Sequence, residues 1–263
     1  MSTIGQINYP FRTSQTMIAP LPAEMLENEL LAKLSEVDRM RLAAHMMVFE
    51  LKRNDVLIVA GETVTDTWFP GGPSLASFQL PSEDGDAAVE VALIGREGAI
   101  GGIVSNGSLP AYATAVVRAG GSFFRLKTAA LEQAKLESIA LRHWFARYSD
   151  CLIAQVFQTS ACNATHTIMQ RTAKWLLAAM ARTRRAEVII TQEELAETLG
   201  VGRTFMTQVV RQLREEGIII TNRGAVTIVN RASLQVKACN CTALIENHYD
   251  VVLHGIYPRD RRP

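Results

Sequence analysis

The stretch TQEELAETLGVGRTFMTQVVRQLREEG, Thr191 to Gly217, decides the fold of the C-terminal part of the chain. Thr191 and Glu194 have the spacing of a capping box: the hydroxyl takes an orphan amide of the first turn and the carboxylate reaches back to the cap. A helix therefore starts at Gln192, with Leu195, Ala196 and Leu199 on one face. Gly200 and Gly202 permit a sharp turn that residues with side chains resist. A second helix opens at Arg203. Val209, Val210 and Leu213 pack inward along it, which leaves Arg203, Thr204, Thr207, Gln208 and Arg211 on or near the outer face. These are side-chain types that read base edges and bind phosphate. Beyond Gly217, Ile218 to Ile220 and Ala225 to Val229 flank Thr221-Asn222-Arg223-Gly224, which predicts two short strands about a tight turn, a wing. Two helices with glycine between them occur in any helical hairpin; the added strands argue against that plainer reading.

Charge agrees with a nucleic-acid-binding module. Residues 166–263 hold fourteen Lys and Arg against nine Asp and Glu, residues 1–165 thirteen against seventeen, so the net charge of +1 conceals a basic C-terminal part. Such asymmetry suits phosphate neutralisation, with affinity that falls as salt rises. A solvated basic face has the same composition.

The whole chain, 263 residues with 48% hydrophobic and 20% charged, is long enough for about two domains. No run reaches about 18 uninterrupted apolar residues, and no basic segment followed by an apolar one opens the chain, so neither a membrane span nor a secretory signal is expected. The expected location is cytoplasmic. Four cysteines, Cys151, Cys162, Cys239 and Cys241, fit reduced thiols better than a disulfide framework.

Residues 1–22, with Pro10, Pro20 and Pro22, read as a flexible lead-in. Ala23 to Met47 has helical spacing and predicts one or two short helices. Short apolar runs follow at Val56–Val59, Val64–Phe69, Leu75–Leu80, Val89–Ile94, Ala113–Arg118 and Ser122–Leu126, between turn signals such as Gly61-Glu62, Pro70-Gly71-Gly72-Pro73 and Glu83-Asp84-Gly85-Asp86. They predict a sandwich or barrel. From about Glu137 to Asn163 a long helix carries Leu141, Phe145, Tyr148, Leu152, Val156 and Thr159 on one stripe. That stripe reads as a dimerisation face; the competing reading is packing on its own barrel. A dimer would set two recognition helices about one DNA turn apart.

The order of parts, β-barrel, long helix, winged helix, resembles the Crp/Fnr superfamily of bacterial transcription regulators over roughly Leu30 to Leu234. The most specific match is TQEELAETLGVGRTFMTQVVRQLREEGIIITNRGAVTIVNRASL. In the barrel, Gly61-Glu62 sits at a family turn, Gly98-Ala99-Ile100-Gly101-Gly102 looks like the phosphate-cassette turn, and Ala115 to Ala119 looks like the strand after it. The resemblance implies an α+β chain. Its parts are the lead-in 1–22, a jelly-roll, cyclic-nucleotide-binding-like β-barrel at 23–136, a dimerisation helix at 137–165, a winged helix-turn-helix domain at 166–237 and a C-terminal extension at 238–263. It also implies a homodimer on double-stranded DNA with a two-fold symmetric operator.

The departures from the family are informative. Gly102 stands where cyclic-nucleotide-binding members have glutamate, and Ala113 with Thr114 where they have Arg-Ser. A phosphate buried in a barrel needs a cationic partner, so a response to cyclic AMP is not expected. Arg96 and Arg118 would serve only if the alignment shifts. With no cysteine before Cys151, the usual iron–sulfur chemistry is excluded. His45, His143, His166, His248 and His254 are scattered and suggest no haem. Cys239-Asn240-Cys241 has His248 and His254 nearby in sequence, but two thiols complete no tetrahedral site. Neither cofactor nor metal is expected.

For DNA, the resemblance implies phosphate contacts from Thr191, Gln192, Asn222 and Arg223. Arg203 can bind guanine or clamp phosphate, and Gln208 can pair with adenine. Phe205 and Met206 read as packing residues. No catalytic group is expected: Gly98 to Gly102 lacks the lysine of a P-loop, and Ser160 and His166 have no partner. The resulting expectation is a homodimeric, sequence-specific transcription regulator and no enzyme. Its barrel is left to hold the dimer, contact RNA polymerase or respond to a signal. Two alternatives stay open: a sensor gated by another small molecule in the barrel, and a protein-interaction module whose winged helix does not bind DNA.

Overall fold

The computed structural model describes residues 23–81, 88–103 and 109–257. The lead-in 1–22, the turn Glu83-Asp84-Gly85-Asp86 and the chain end at 258–263 lie outside the described residues. Among the described residues the N-terminal part has seven strands: β1 (Met46–Leu51), β2 (Val56–Ile58), β3 (Asp66–Pro70), β4 (Leu75–Pro81), β5 (Ala88–Ile94), β6 (Thr114–Ala119) and β7 (Gly121–Lys127). They pair antiparallel in two sheets, ordered β1-β7-β3 and β2-β6-β4-β5. Among the described residues no strand of one sheet pairs with a strand of the other. Phe49, Trp68, Ile94, Val117 and Phe123 fill the space between them, so the expected barrel takes the form of two facing sheets.

The period of two is visible in where neighbours go. Trp68 and Phe123 enter the core between the sheets, whereas Phe69 and Phe124 face the opposite way, into a second core beneath helices. β1, which helical spacing to Met47 had hidden, pairs with β7 from Met46↔Leu126 to Leu51↔Gly121. Before it lie a 3-10 turn, Glu24–Glu27, and two short helices, α1 (Glu29–Ala32) and α2 (Glu36–Ala43). Asn28 and Ser35 cap these helices through their side chains. Asn28 also ties them to the sheets, donating to the carbonyls of Pro70 and Gly98 at 2.9 Å each.

α3 (Thr128–Glu137) leads into α4 (Ile139–Thr165), 27 residues begun by the Ser138 side chain, which accepts from the Leu141 amide at 3.2 Å. The inner face of α4 is closed within the chain. Leu141, Phe145 and Tyr148 are fully buried, Phe145 edge-on to Phe69 at 6.1 Å between ring centres. The Tyr148 hydroxyl donates to the Ala99 carbonyl and accepts from the Ala99 amide, both at 2.9 Å. These three residues are therefore core and not dimerisation residues: helical periodicity marked an apolar face, and its own sheet and helices cover it. Leu152 is half-buried beside the core between the sheets. Thr159 is half-buried, and Val156 is exposed. On the other side of α4, Ala146, Asp150, Ile153, Phe157, Ser160 and Ala164 follow at alternating spacings of four and three and are all exposed.

The C-terminal domain comprises α5 (Ile168–Thr183), β8 (Glu187–Val188), α6 (Gln192–Thr198), α7 (Arg203–Glu215), β9 (Ile219–Asn222), β10 (Ala225–Ile228) and α8 (Arg231–Lys237). Its core joins Trp175, Leu176 and Ala179 of α5 to Leu195, Met206, Val210, Leu213 and Val226. The expected C-terminal extension forms α9 (Cys241–Val252), which runs back along α4. Tyr249 meets Tyr148, Tyr257 meets Trp144, and Arg147 donates to the Val252 carbonyl at 3.0 Å.

Phe145→Ala is expected to cost about 3–5 kcal/mol, the usual range for truncating a buried aromatic side chain. Urea unfolding read at several protein concentrations checks it. A loss that does not vary with concentration identifies a core residue, and one that tracks subunit dissociation would return Phe145 to an interface.

Candidate nucleic-acid interface

α6 and α7 form the helix pair that the sequence predicts, from the same starting residues. The Thr191 side chain accepts from the Glu194 amide at 3.1 Å and the Glu194 carboxylate accepts from the Thr191 amide at 2.7 Å, a complete capping box. Gly200 makes the turn with φ +61°, a conformation side chains resist, whereas Gly202, at φ −65°, simply precedes α7. Met206, Val210 and Leu213 bury the inner face of α7. Phe205, expected to pack, is 59% exposed.

On the outer face, Arg203, Thr204, Thr207, Gln208 and Arg211 are exposed side by side along two and a half turns. Among the described residues the carboxylate partner of Arg203 is Glu193, at 3.4 Å, and that of Arg211 is Glu215, at 3.8 Å. Such exposed pairs hold their side chains weakly, so both guanidinium groups can exchange a carboxylate for a phosphate or a base edge. The Thr207 hydroxyl donates to the Arg203 carbonyl at 3.0 Å. Thr191, at the start of α6, is exposed and Gln192 beside it half-buried. Asn222 and Arg223 are exposed at the tip where β9 turns into β10. β8, which the sequence reading missed, is two residues long and adds to β10 as a third strand.

This domain rests against the sheets through Leu75 and Leu93, which join its apolar core, and through polar contacts around them. Arg53 pairs with Glu194 at 2.6 Å, Arg118 donates to the Thr198 hydroxyl at 2.6 Å, and Arg182 pairs with Glu97 at 2.7 Å. Burial opposes ionisation of Glu194, yet the Thr191 amide and Arg53 outweigh it and hold the carboxyl below the usual range. At the centre, Glu90 accepts from the Trp175 indole at 2.7 Å and lies 3.7 Å from Arg118. Burial pushes the Glu90 carboxyl above its usual range, against the opposing pull of Arg118, Trp175 and Ser77.

The turn at Gly98 to Gly102, the expected phosphate-cassette position, is filled by the protein itself. A Cβ on Gly102 would lie 2.5 Å from Thr128 Oγ1 and 2.9 Å from Thr67 Oγ1. A Cβ on Gly98 would strike the Tyr148 hydroxyl. The two arginines nearby are engaged elsewhere: Arg96 with Glu29 at 2.5 Å and the Arg182 carbonyl at 2.8 Å, Arg118 with Thr198 and Glu90. Ala113 precedes β6, and Thr114 opens it with its hydroxyl accepting from the Ala60 amide at 3.2 Å.

The cysteines depart most from expectation. Cys239 and Cys241 are joined not by His248 or His254 but by Cys162 and His166, from the end of α4, and the ligand atoms of all four lie within 4.8 Å of one another. The expected absence of a metal-ligand set is thereby corrected. The Cys162-x3-His166 spacing was the available signal; in the structure His166 follows the last residue of α4. Burial, reinforced by Cys239, pushes the Cys241 thiol up to about 12.

Residues 170–236 match the family model of the Crp-like helix-turn-helix domain. Among solved structures, FixK2 from Bradyrhizobium japonicum superposes with a TM-score of 0.61 at 15% identity, covering 74% of this chain and 98% of its own. TTHB099, a CRP-family transcriptional regulator from Thermus thermophilus, gives 0.60 at 21% identity, with 72% and 95% covered. CLP, the c-di-GMP-responsive global regulator of Xanthomonas campestris, gives 0.58 at 14%, with 74% and 99% covered. No curated protein matches by sequence. Residues 170–236 are thus a Crp-like helix-turn-helix domain, and the fold of the chain is similar to that of these Crp/Fnr-type regulators.

The raised Glu90 carboxyl predicts a pH dependence. Because the folded state holds this proton more tightly than the unfolded chain does, the contribution is fully present below the unfolded value, about 4.3, and is lost as pH rises through the folded one. Glu90→Gln keeps an acceptor for Trp175 and has no charge to bury. Its stability relative to the wild type should therefore rise between acid and neutral pH in urea titrations. A variant that instead weakens toward neutral pH would show that the Arg118 pairing outweighs burial.

Proposed function

We propose that the chain is a homodimeric, sequence-specific DNA-binding transcription regulator that does not respond to cyclic AMP. The observation that carries this reading is the row Arg203, Thr204, Thr207, Gln208 and Arg211, exposed on a helix whose opposite face is buried. Arg203 and Gln208 suit base edges, Arg203 pairing with guanine and Gln208 with adenine. Thr191, Gln192, Asn222 and Arg223 flank them as phosphate contacts. No described helix is long and apolar enough to cross a membrane, in keeping with a cytoplasmic protein acting on DNA.

The dimer contact in this reading is the outer stripe of α4, Ile153 and Phe157 at its centre, 49% and 70% exposed. Ile153 and Phe157 with the small Ala146 and Ala164, on one stripe of the helix, suit a second copy of the same helix crossing along a two-fold axis. Against a cyclic nucleotide stand the crowding at Gly102 and the engagement of Arg96 and Arg118 with other partners. Selection from a random duplex pool, with no ligand added, should return an inverted repeat with half-sites about one helical turn apart. Binding with no sequence preference would favour a ligand-gated form, and no binding at all a protein-interaction module.

Arg203→Ala should weaken the selected site by about 1–3 kcal/mol, roughly five- to 150-fold, without moving the melting transition. A lowered transition would mean that Arg203 serves the fold. Phe157→Glu should yield a folded monomer by sedimentation and lose tight operator binding; a variant that remains dimeric places the contact elsewhere.

A further inference from the structure

We infer that Cys162, His166, Cys239 and Cys241 form a tetrahedral binding site for a zinc-class divalent metal ion, which clamps α9 onto the joint between α4 and α5. No part of this rests on the DNA-binding reading.

The distances are those of a coordination shell. Cys162 Sγ lies 3.6 Å from Cys239 Sγ, and Cys241 Sγ lies 3.6 Å from His166 Nδ1. A tetrahedral zinc ion with metal–sulfur bonds of about 2.3 Å and metal–nitrogen bonds of about 2.0 Å needs sulfur–sulfur edges of about 3.7 Å and sulfur–nitrogen edges of about 3.5 Å. All six separations lie within 4.8 Å, so the longer edges would have to shorten by at most about 1 Å on binding. A disulfide would join only two of the four groups and requires sulfurs about 2.05 Å apart.

The plainer account takes buried cysteines as small apolar residues. It does not explain the surroundings. The three thiols form a cluster of their own, apart from the three large cores, and polar donors point at their sulfurs. Gln158 Nε2 donates to Cys241 Sγ at 3.2 Å and Lys174 Nζ to Cys162 Sγ at 3.4 Å. Among the described residues Lys174 has no carboxylate partner within 4.0 Å. A bound cation would displace the thiol protons, and these donors would then face the sulfur ligands. Three thiolates, a neutral imidazole and a divalent cation together carry one negative charge, which the Lys174 ammonium cancels. Sulfur-rich tetrahedral ligation selects zinc over magnesium, calcium or manganese, and four protein ligands leave no open position for catalysis.

The placement gives the ion a mechanical consequence. α4 ends at Thr165 and α5 begins at Ile168, so His166 is one of the two residues joining them. Cys162 lies in the last turn of α4, while Cys239 and Cys241 straddle the residue that precedes α9. One ion would fix three elements at the point where the DNA-binding domain departs from the long helix.

Cobalt(II) titration of the full chain under reducing, anaerobic conditions tests the inference. One equivalent should develop the intense visible ligand-field bands and sulfur-to-cobalt charge transfer of a tetrahedral thiolate site, and one equivalent of zinc should bleach them. Cys239→Ser and His166→Ala should lose or weaken the spectrum, while Cys151→Ala, whose thiol lies in another core, keeps it. Lys174→Met should lower zinc affinity by roughly ten- to 100-fold, the usual effect of removing a partner of a ligating group. Since a ligand variant can misfold, the wild type provides an independent reading: zinc should raise its thermal midpoint and a chelator lower it. Folded wild-type chain without the tetrahedral spectrum, or a spectrum unchanged in Cys239→Ser, would overturn the site.

Discussion

The two-sided packing of α4 is the constraint on which the rest of the structure depends. At 27 residues it is about 40 Å long, and its inner face is committed to Leu141, Phe145 and Tyr148 beneath the sheets. The Tyr148 hydroxyl grips both backbone groups of Ala99, so the helix fixes the Gly98 to Gly102 turn as well as the hydrophobic core. That commitment leaves the outer stripe around Ile153 and Phe157 exposed, where the proposed second subunit would pack. It also leaves the far end of the helix, at Cys162 and His166, to set where the DNA-binding domain begins.

The contact between that domain and the sheets is mixed: Leu75 and Leu93 of the sheets join the apolar core of the DNA-binding domain, and polar groups surround them. These are the Arg53–Glu194 and Arg182–Glu97 pairs, the Arg118–Thr198 hydrogen bond and the buried Glu90 carboxyl. Glu194 serves two roles at once: it completes the cap of α6 and receives Arg53, so the start of the helix pair is tied directly to the sheets.

Local chemistry was legible in the sequence, and tertiary placement was not. The Thr191 and Glu194 capping box, the start of α7 at Arg203 and the wing depend on residues within a few positions of one another, and they appear as read. Periodicity revealed that Leu141, Phe145 and Tyr148 share a face, but it does not say what covers that face. β1 was hidden because helical spacing ran on to Met47, past its start at Met46, and β8 because two residues make no pattern. The four-ligand cluster escaped for a topological reason: its halves lie at the end of α4 and the start of α9, brought together only when α9 folds back along α4.

The central claim, that two copies of α7 read successive major grooves, is most directly tested by protection of guanine N7 from methylation on a bound duplex. N7 is a major-groove atom, so the account predicts two protected patches on one face of the DNA, related by a two-fold axis and about 10 base pairs apart. A single patch, or binding that leaves every N7 reactive, would contradict it.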